Sequence, residues 1–169
     1  MNPVIAYEKK LYFPTRRDYL ISRITHEDSY LIWKYLYFLR REEAASNKLT
    51  QYYWRRRKND LGAKLGIIIY AGCCGKGLRI WHYGSTIISG DAKLGENCTF
   101  HGQACIGNDG RSAAAPVIGN YVDIGVGAKI IGDITIADHM TIGAGAVVTK
   151  SCLEEGVTLA GVPARIIKK

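Results

Sequence analysis

No stretch of this 169-residue chain holds an apolar run of the roughly 18 residues that a membrane-spanning helix requires. The first ten residues, MNPVIAYEKK, lack the apolar core and small-residue cleavage site of a secretory leader. No C-x-x-C pair occurs, and the five cysteines (Cys73, Cys74, Cys98, Cys105 and Cys152) are odd in number. Both facts argue against a disulfide framework and against a thiolate zinc centre. Free thiols suit a reducing compartment, so a cytoplasmic protein is expected. Charge balance is lacking at one end only, where basic residues outnumber acidic ones. Residues 1–66 hold 14 Lys/Arg against 7 Asp/Glu, whereas residues 67–169 hold 9 against 8. Nearly all of the net charge of +8 therefore belongs to the N-terminal part. The length allows one domain with an appendage, and an apolar content of 47% is ordinary for a globular protein.

Residues 17–60 read as helical. Neither Gly nor Pro interrupts residues 29–45, where Leu31, Ile32, Tyr35, Leu36, Phe38 and Leu39 recur three and four apart. A second, basic and aromatic helix is expected around Tyr52-Tyr-Trp-Arg-Arg-Arg-Lys58, with Gly62 and Gly66 ending it.

Beyond Ile67 the period changes. An aliphatic or aromatic residue returns every six positions: Ile88, Leu94, Phe100, Ile106, then Ile118, Ile124, Ile130, Ile136, Ile142 and Val148. A small residue often follows four places later, at Ala92, Cys98, Ala104, Ala128, Ala146 and Cys152. A period of six is neither helical nor simply alternating. It predicts a parallel β-helix, in which short strands turn at regular corners and stack. The organisation expected is a helical segment over 1–66, a β-helix over 67–154 and a C-terminal tail over 155–169. The beat carries back through Ile80 and Cys74 to Ile68, but Ile80 and Ile88 are eight apart, which predicts a two-residue bulge at Trp81-His82-Tyr83-Gly84. A second break, residues 108–116, reads as an external loop, because Ser112 stands where an aliphatic residue is due.

With the repeats placed, the chain resembles the acyltransferases of the left-handed β-helix superfamily, and within them the serine acetyltransferase branch and its polysaccharide-modifying relatives. The motifs that carry this are Gly75-Lys-Gly-Leu-Arg-Ile-Trp-His82-Tyr-Gly, Cys98-Thr-Phe-His101-Gly-Gln-Ala-Cys-Ile-Gly107, Ile142-Gly-Ala-Gly-Ala-Val-Val148 and Ala160-Gly-Val-Pro-Ala-Arg165. The resemblance implies a mainly β fold, a left-handed parallel β-helix with a short N-terminal helical segment. It implies a homotrimer with active sites between subunits, acetyl-CoA as co-substrate and direct acetyl transfer to a hydroxyl without an acyl-enzyme.

His82 matches the family's catalytic histidine. An imidazole titrates near neutral pH, so it can take the hydroxyl proton and return it to the departing thiolate. The plainer reading is a structural histidine filling a bulge. His101 borders the acceptor pocket or is an ordinary surface histidine; His139 and His26 are expected to be unremarkable. Cys105 as an acyl-carrying nucleophile competes with a packing thiol, which is simpler. No two histidines lie within six residues of one another, so no metal site of the carbonic-anhydrase kind is expected. For the cofactor, the family's backbone contacts correspond to Val126, Gly127, Ala144 and Gly145, and Lys150, Arg165 and Lys168 are candidates for its phosphates.

Three departures bear on the acceptor. Where serine acetyltransferases carry Asp before the catalytic His, this chain has Trp81. Their Arg-His before the loop-closing Pro is Ala114-Ala115 before Pro116. The Asp that orients their His corresponds to Ile67. Losing a charged partner for the amino-acid carboxylate is costly, and Trp81 and Tyr83 offer flat apolar faces to a pyranose ring. The expected acceptor is accordingly a sugar of a surface polysaccharide or its precursor. Alternatives are L-serine, as in cysteine biosynthesis, and a non-catalytic β-helix binding module. For the basic N-terminal segment, anionic lipid, a glycosyltransferase partner and a solvated helix face are all open; no motif indicates nucleic acid.

Overall fold

In the computed structural model the described residues run from 2 to 168, with side chains to 167. Four helices come first: α1 (Pro3–Tyr12), α2 (Arg16–Thr25), α3 (Asp28–Glu43) and α4 (Lys48–Leu65). Each start has a local cause. The Asn2 side chain accepts from the Val4 N–H at 2.9 Å, with Pro3 at the first helical position. Thr15 and Asp18 form a reciprocal capping box. Asn47 accepts from Thr50. Apart from Arg16 at its start, α2 falls within residues 17–60, read as helical, as do α3 and most of α4, although α4 runs on to Leu65; α1 lies in the expected helical segment over 1–66 but before the part whose periodicity declares a helix.

Gly66 ends α4 in a left-handed conformation (φ 68°), and a Cβ there would come within 2.9 Å of the Ser85 backbone nitrogen. Only glycine lets the chain leave the helix and run directly above the bulge.

Strands then rotate through three faces of a prism. One face stacks β1 (Ile67–Ile69), β3 (Thr86–Ile88), β6 (Cys105–Gly107), β9 (Lys129–Ile131) and β12 (Val147–Val148). The second stacks β4 (Lys93–Leu94), β7 (Val117–Ile118) and β10 (Thr135–Ile136). The third stacks β2 (Arg79–Ile80), β5 (Thr99–Phe100), β8 (Asp123–Ile124), β11 (Thr141–Ile142) and β13 (Thr158–Gly161), with β14 (Ala164–Lys168) antiparallel at its end. Strands stack in parallel so that the repeat residues coincide: Ile80, Phe100, Ile124, Ile142 and Leu159 form one internal column. Their burial, with Ala92, Cys98, Ala104, Ala128 and Ala146 at the corners, makes a continuous core.

Two details differ from the sequence reading. The beat carried back to Ile68 is off by one: Ile67 and Ile69 point inward and Ile68 is 50% exposed, because Ile69 pairs with Ile88. Parallel pairing also continues past residue 154, since β13 aligns with β11. The break at residues 108–116 is an external loop, as Ile118 pairs with Leu94 and so occupies the position immediately after Ile106.

The first coil has no coil before it, so its backbone groups would be left unpaired. The helices supply the partners. The Ile69 N–H donates to the Tyr35 hydroxyl (2.9 Å), and its carbonyl accepts from Lys58 (2.8 Å). Arg40 donates to the carbonyls of Cys74 and Gly75, while Glu8 accepts from the N–H groups of Gly77 and Leu78. The Tyr12 hydroxyl accepts from the Ile80 N–H at 2.7 Å and donates to its carbonyl at 3.1 Å. Burial pushes the Tyr12 phenol upward, which keeps that proton in place. Arg40 is itself held by Glu8 (2.8 Å) and Glu43 (2.9 Å), and Glu42 by Lys58 and Arg55. Burial opposes the charge on Arg40, but its hydrogen bonds and attraction to Glu8 outweigh that and hold it charged. Part of the basic N-terminal segment therefore serves as an end cap for the prism.

Candidate active site

The excess residues between Ile80 and Ile88 leave the coil at the corner that joins the third face to the first. In the next coil the same corner needs only six residues, from Phe100 to Ile106. The surplus pushes Trp81 (44% exposed), His82 and Tyr83 (39% exposed) to the surface. Gly84 (φ 110°) and Ser85 (φ 42°) bring the chain back. The corner below fits tightly: a Cβ on Gly102 would lie 3.0 Å from the His82 carbonyl, and Gln103 donates to the Gly84 carbonyl at 3.1 Å. Among the described residues no group hydrogen-bonds the His82 imidazole, and the position compared with an orienting Asp, Ile67, is buried and apolar.

Corners stack as the strands do. Gly127 donates to the Gly102 carbonyl at 3.1 Å and Gly145 to the Val126 carbonyl at 2.8 Å. Val126, Gly127, Ala144 and Gly145 consequently run along the same edge as His82, one and two coils further on than Gly102. Above that edge on the third face, Trp81 aligns with His101, Gly125, Gly143 and Ala160, so the column below His101 is almost bare backbone. A Cβ on Gly125 would collide with Ala144 at 2.6 Å, which keeps this strip shallow.

The upper end of the column is polar and aromatic. The Arg79 guanidinium lies 3.9 Å from the centre of the Trp81 ring. Trp81 and His101 are stacked, with centroids 6.4 Å apart and planes at 22°. His101 Nε2 is 2.8 Å from Asp123 Oδ1. That carboxylate holds the ring in its orientation.

The remaining candidates are scattered. Arg165 lies on β14 opposite Ala160, at the far end of the same face. Lys150 follows β12 at the corner between the first and second faces, away from the His82 edge. The Lys168 side chain lies outside the described side chains. His139 stacks on Tyr121 at 4.9 Å, and His26 ends α2. Burial pushes the Cys98 thiol up to about 11, which suits a packing thiol. Cys73 and Cys74 are buried side by side, and all five cysteines are free. Among the described residues no group of three or more His, Cys, Asp or Glu could hold a metal, and no helix is long and apolar enough to cross a membrane.

Arg79 and Asp123 were missed in the sequence. Asp123 is reachable from it: subtract the external loop, and it falls two positions before the residue beneath His101, outward on the same face. Arg79 carries no signal beyond its place two residues before Trp81.

No protein-family model matches the chain. It is 33% identical over 136 residues to a serine acetyltransferase of Buchnera aphidicola subsp. Schizaphis graminum, covering 72% of this chain and 51% of that one. It is 36% identical over 107 residues to a serine acetyltransferase of Helicobacter pylori, covering 62% of each. The chain spans about half the length of the curated relatives it matches. Among solved structures, serine acetyltransferase from Brucella abortus in complex with coenzyme A superposes with a TM-score of 0.71 at 26% identity, covering 98% of this chain and 67% of that one. In fold and sequence this chain is a hexapeptide-repeat parallel β-helix protein that is similar to the serine acetyltransferases.

Proposed function

We propose that the chain is an acetyl-CoA-dependent O-acetyltransferase with His82 as general base. The observation that carries this is the two-residue bulge, which sets an exposed histidine on the same edge as the small-residue corners Val126-Gly127 and Ala144-Gly145. Small residues keep that edge low for a thioester arm along the later coils, and Gln103 stands at the corner between them and the imidazole. The acceptor hydroxyl gives its proton to His82 as its oxygen attacks the thioester carbonyl. Backbone N–H groups at the corner stabilise the tetrahedral oxyanion. Its collapse breaks the C–S bond, and the CoA thiolate takes the proton back from the imidazolium. No acyl-enzyme is required. The neighbour solved with coenzyme A supports the choice of donor. In a homotrimer a second prism covers this edge, closes the groove and supplies the hydrogen-bond partner that the His82 imidazole does not find among the described residues. Arg165 reaches the nucleotide end from the same face.

For the acceptor, the names of the relatives support L-serine rather than the polysaccharide sugar favoured by the sequence departures. One relative in the structural comparison, a soybean serine acetyltransferase, is complexed with serine. The sugar is kept as the second reading on one observation: Trp81 and Tyr83 present exposed rings on either side of His82. Thiol release from acetyl-CoA, followed with purified protein over L-serine, neutral hexoses, hexuronic acids and nucleotide sugars, separates the two. The serine reading expects L-serine to dominate. Turnover confined to glycans would reverse it, and no acceptor-dependent release at all would remove the transferase.

A further inference from the structure

We propose that Arg79 is the anion anchor of the acceptor subsite, so that the favoured acceptor carries a carboxylate on the same molecule as the reacting hydroxyl. The inference rests on the acetyl-transfer reading above and adds to it the chemical class of the acceptor.

Arg79 differs from every other outward residue in its column, which continues as Thr99, Asp123, Thr141 and Thr158. Among the described residues its guanidinium pairs with no carboxylate: it lies over the face of Trp81, at 3.9 Å, and close enough to the Tyr12 phenol to act on it electrostatically. The nearest acid along the column, Asp123, is already engaged by His101. An unpaired arginine on a surface is common, but it normally points into water and samples many rotamers. Here the indole holds the cation against its face, and among the described residues no acceptor takes up the N–H groups that pair bidentately with a carboxylate. Stacking also lowers the cost of ordering the long side chain when an anion arrives. The residue that orients Arg79 directly precedes His82, so the anion subsite and the base belong to one short segment. Three residues separate the two, a span of at most about 10 Å even if the backbone were fully extended. The gap suits a hydroxy acid of modest size.

This placement also bears on the lost arginine near Pro116. A cation for the acceptor carboxylate is present after all, two residues before the base-bearing bulge instead of in the external loop. L-serine and a hexuronic acid both satisfy it, whereas a neutral hexose does not.

The test compares charged acceptors with uncharged counterparts: L-serine with L-serinamide, and glucuronic acid with glucose, with glucose 6-phosphate as a phosphate-bearing arm. For the unaltered protein, kcat/KM is expected to be ~10- to 100-fold higher for the carboxylate member of the pair it uses. Arg79→Gln should bring the two members within about twofold, by raising the acceptor KM and leaving the acetyl-CoA KM unchanged. Arg79→Lys should restore part of the preference, since it keeps charge but loses the planar fork. Added salt should weaken acceptor binding in the unaltered protein and not in Arg79→Gln. A preference for glucose 6-phosphate over both carboxylates would overturn the carboxylate assignment. Equal use of charged and neutral acceptors, or a preference that survives Arg79→Gln, would overturn the anchor while acetyl transfer stands. Absence of transfer to every acceptor would overturn the transferase reading itself, and this inference with it.

Discussion

His82→Ala is expected to lower kcat/KM for acetyl transfer by about 10²- to 10⁴-fold, the usual contribution of a positioned general base. A hydroxyl is a poor nucleophile at neutral pH, and among the side chains exposed at the bulge only this one is an imidazole, the usual general base for such a step. Trp81 and Tyr83 cannot substitute. Because His82 is exposed and its imidazole makes no hydrogen bond among the described residues, the substitution should leave the melting temperature nearly unchanged. Rates with the preferred acceptor, set beside far-UV circular dichroism and a melt, measure both. Loss of activity accompanied by loss of fold would assign His82 to structure, the plainer reading of a histidine in a bulge.

The second large effect concerns stability. Arg40→Met should cost about 3–5 kcal/mol, because it leaves Glu8 charged, buried and without its partner. It also strips the hydrogen-bond donor from the Cys74 and Gly75 carbonyls at the open end of the prism. For a chain of this length that corresponds to a fall in melting temperature on the order of 10 °C. Glu8→Leu in the same chain should recover a good part of it, since an apolar pair in place of a buried ion pair is often tolerated. A melt of the single and double variants checks this. A shift of only a degree or two for Arg40→Met would mean that the helices merely rest on the β-helix and do not cap it.

The β-helix was legible because its period is imposed by packing: Phe100, Ile124 and Ile142 must stack, and a residue every six positions has no other simple cause. The bulge and the loop were legible as failures of that same period. What escaped has a common origin in partners that come from elsewhere in the chain. Arg40 and Lys58 read as surface charge on a helix, and only the three-dimensional placement of the first coil turns them into caps. His101 and Asp123 are 22 positions apart, a separation that means nothing until the external loop is set aside. Ile68 was misplaced by one residue because the first coil is irregular between Ile69 and Cys74, where the tertiary contacts of α4, through Gly62 and Lys58, set the register. Lys150 was grouped with the cofactor positions by its place late in the chain; chain order does not say which edge of a prism a corner belongs to.

The central claim is that acetyl passes directly from acetyl-CoA to a hydroxyl at the His82 edge. Mass spectrometry of the reaction with the preferred acceptor tests it most directly, with protein and acceptor weighed at intervals through one turnover. The account predicts one acetyl ester on the acceptor for each CoA released, with the protein mass unchanged throughout. A transient acetyl group on the protein, or CoA release without an acetylated acceptor, would contradict it.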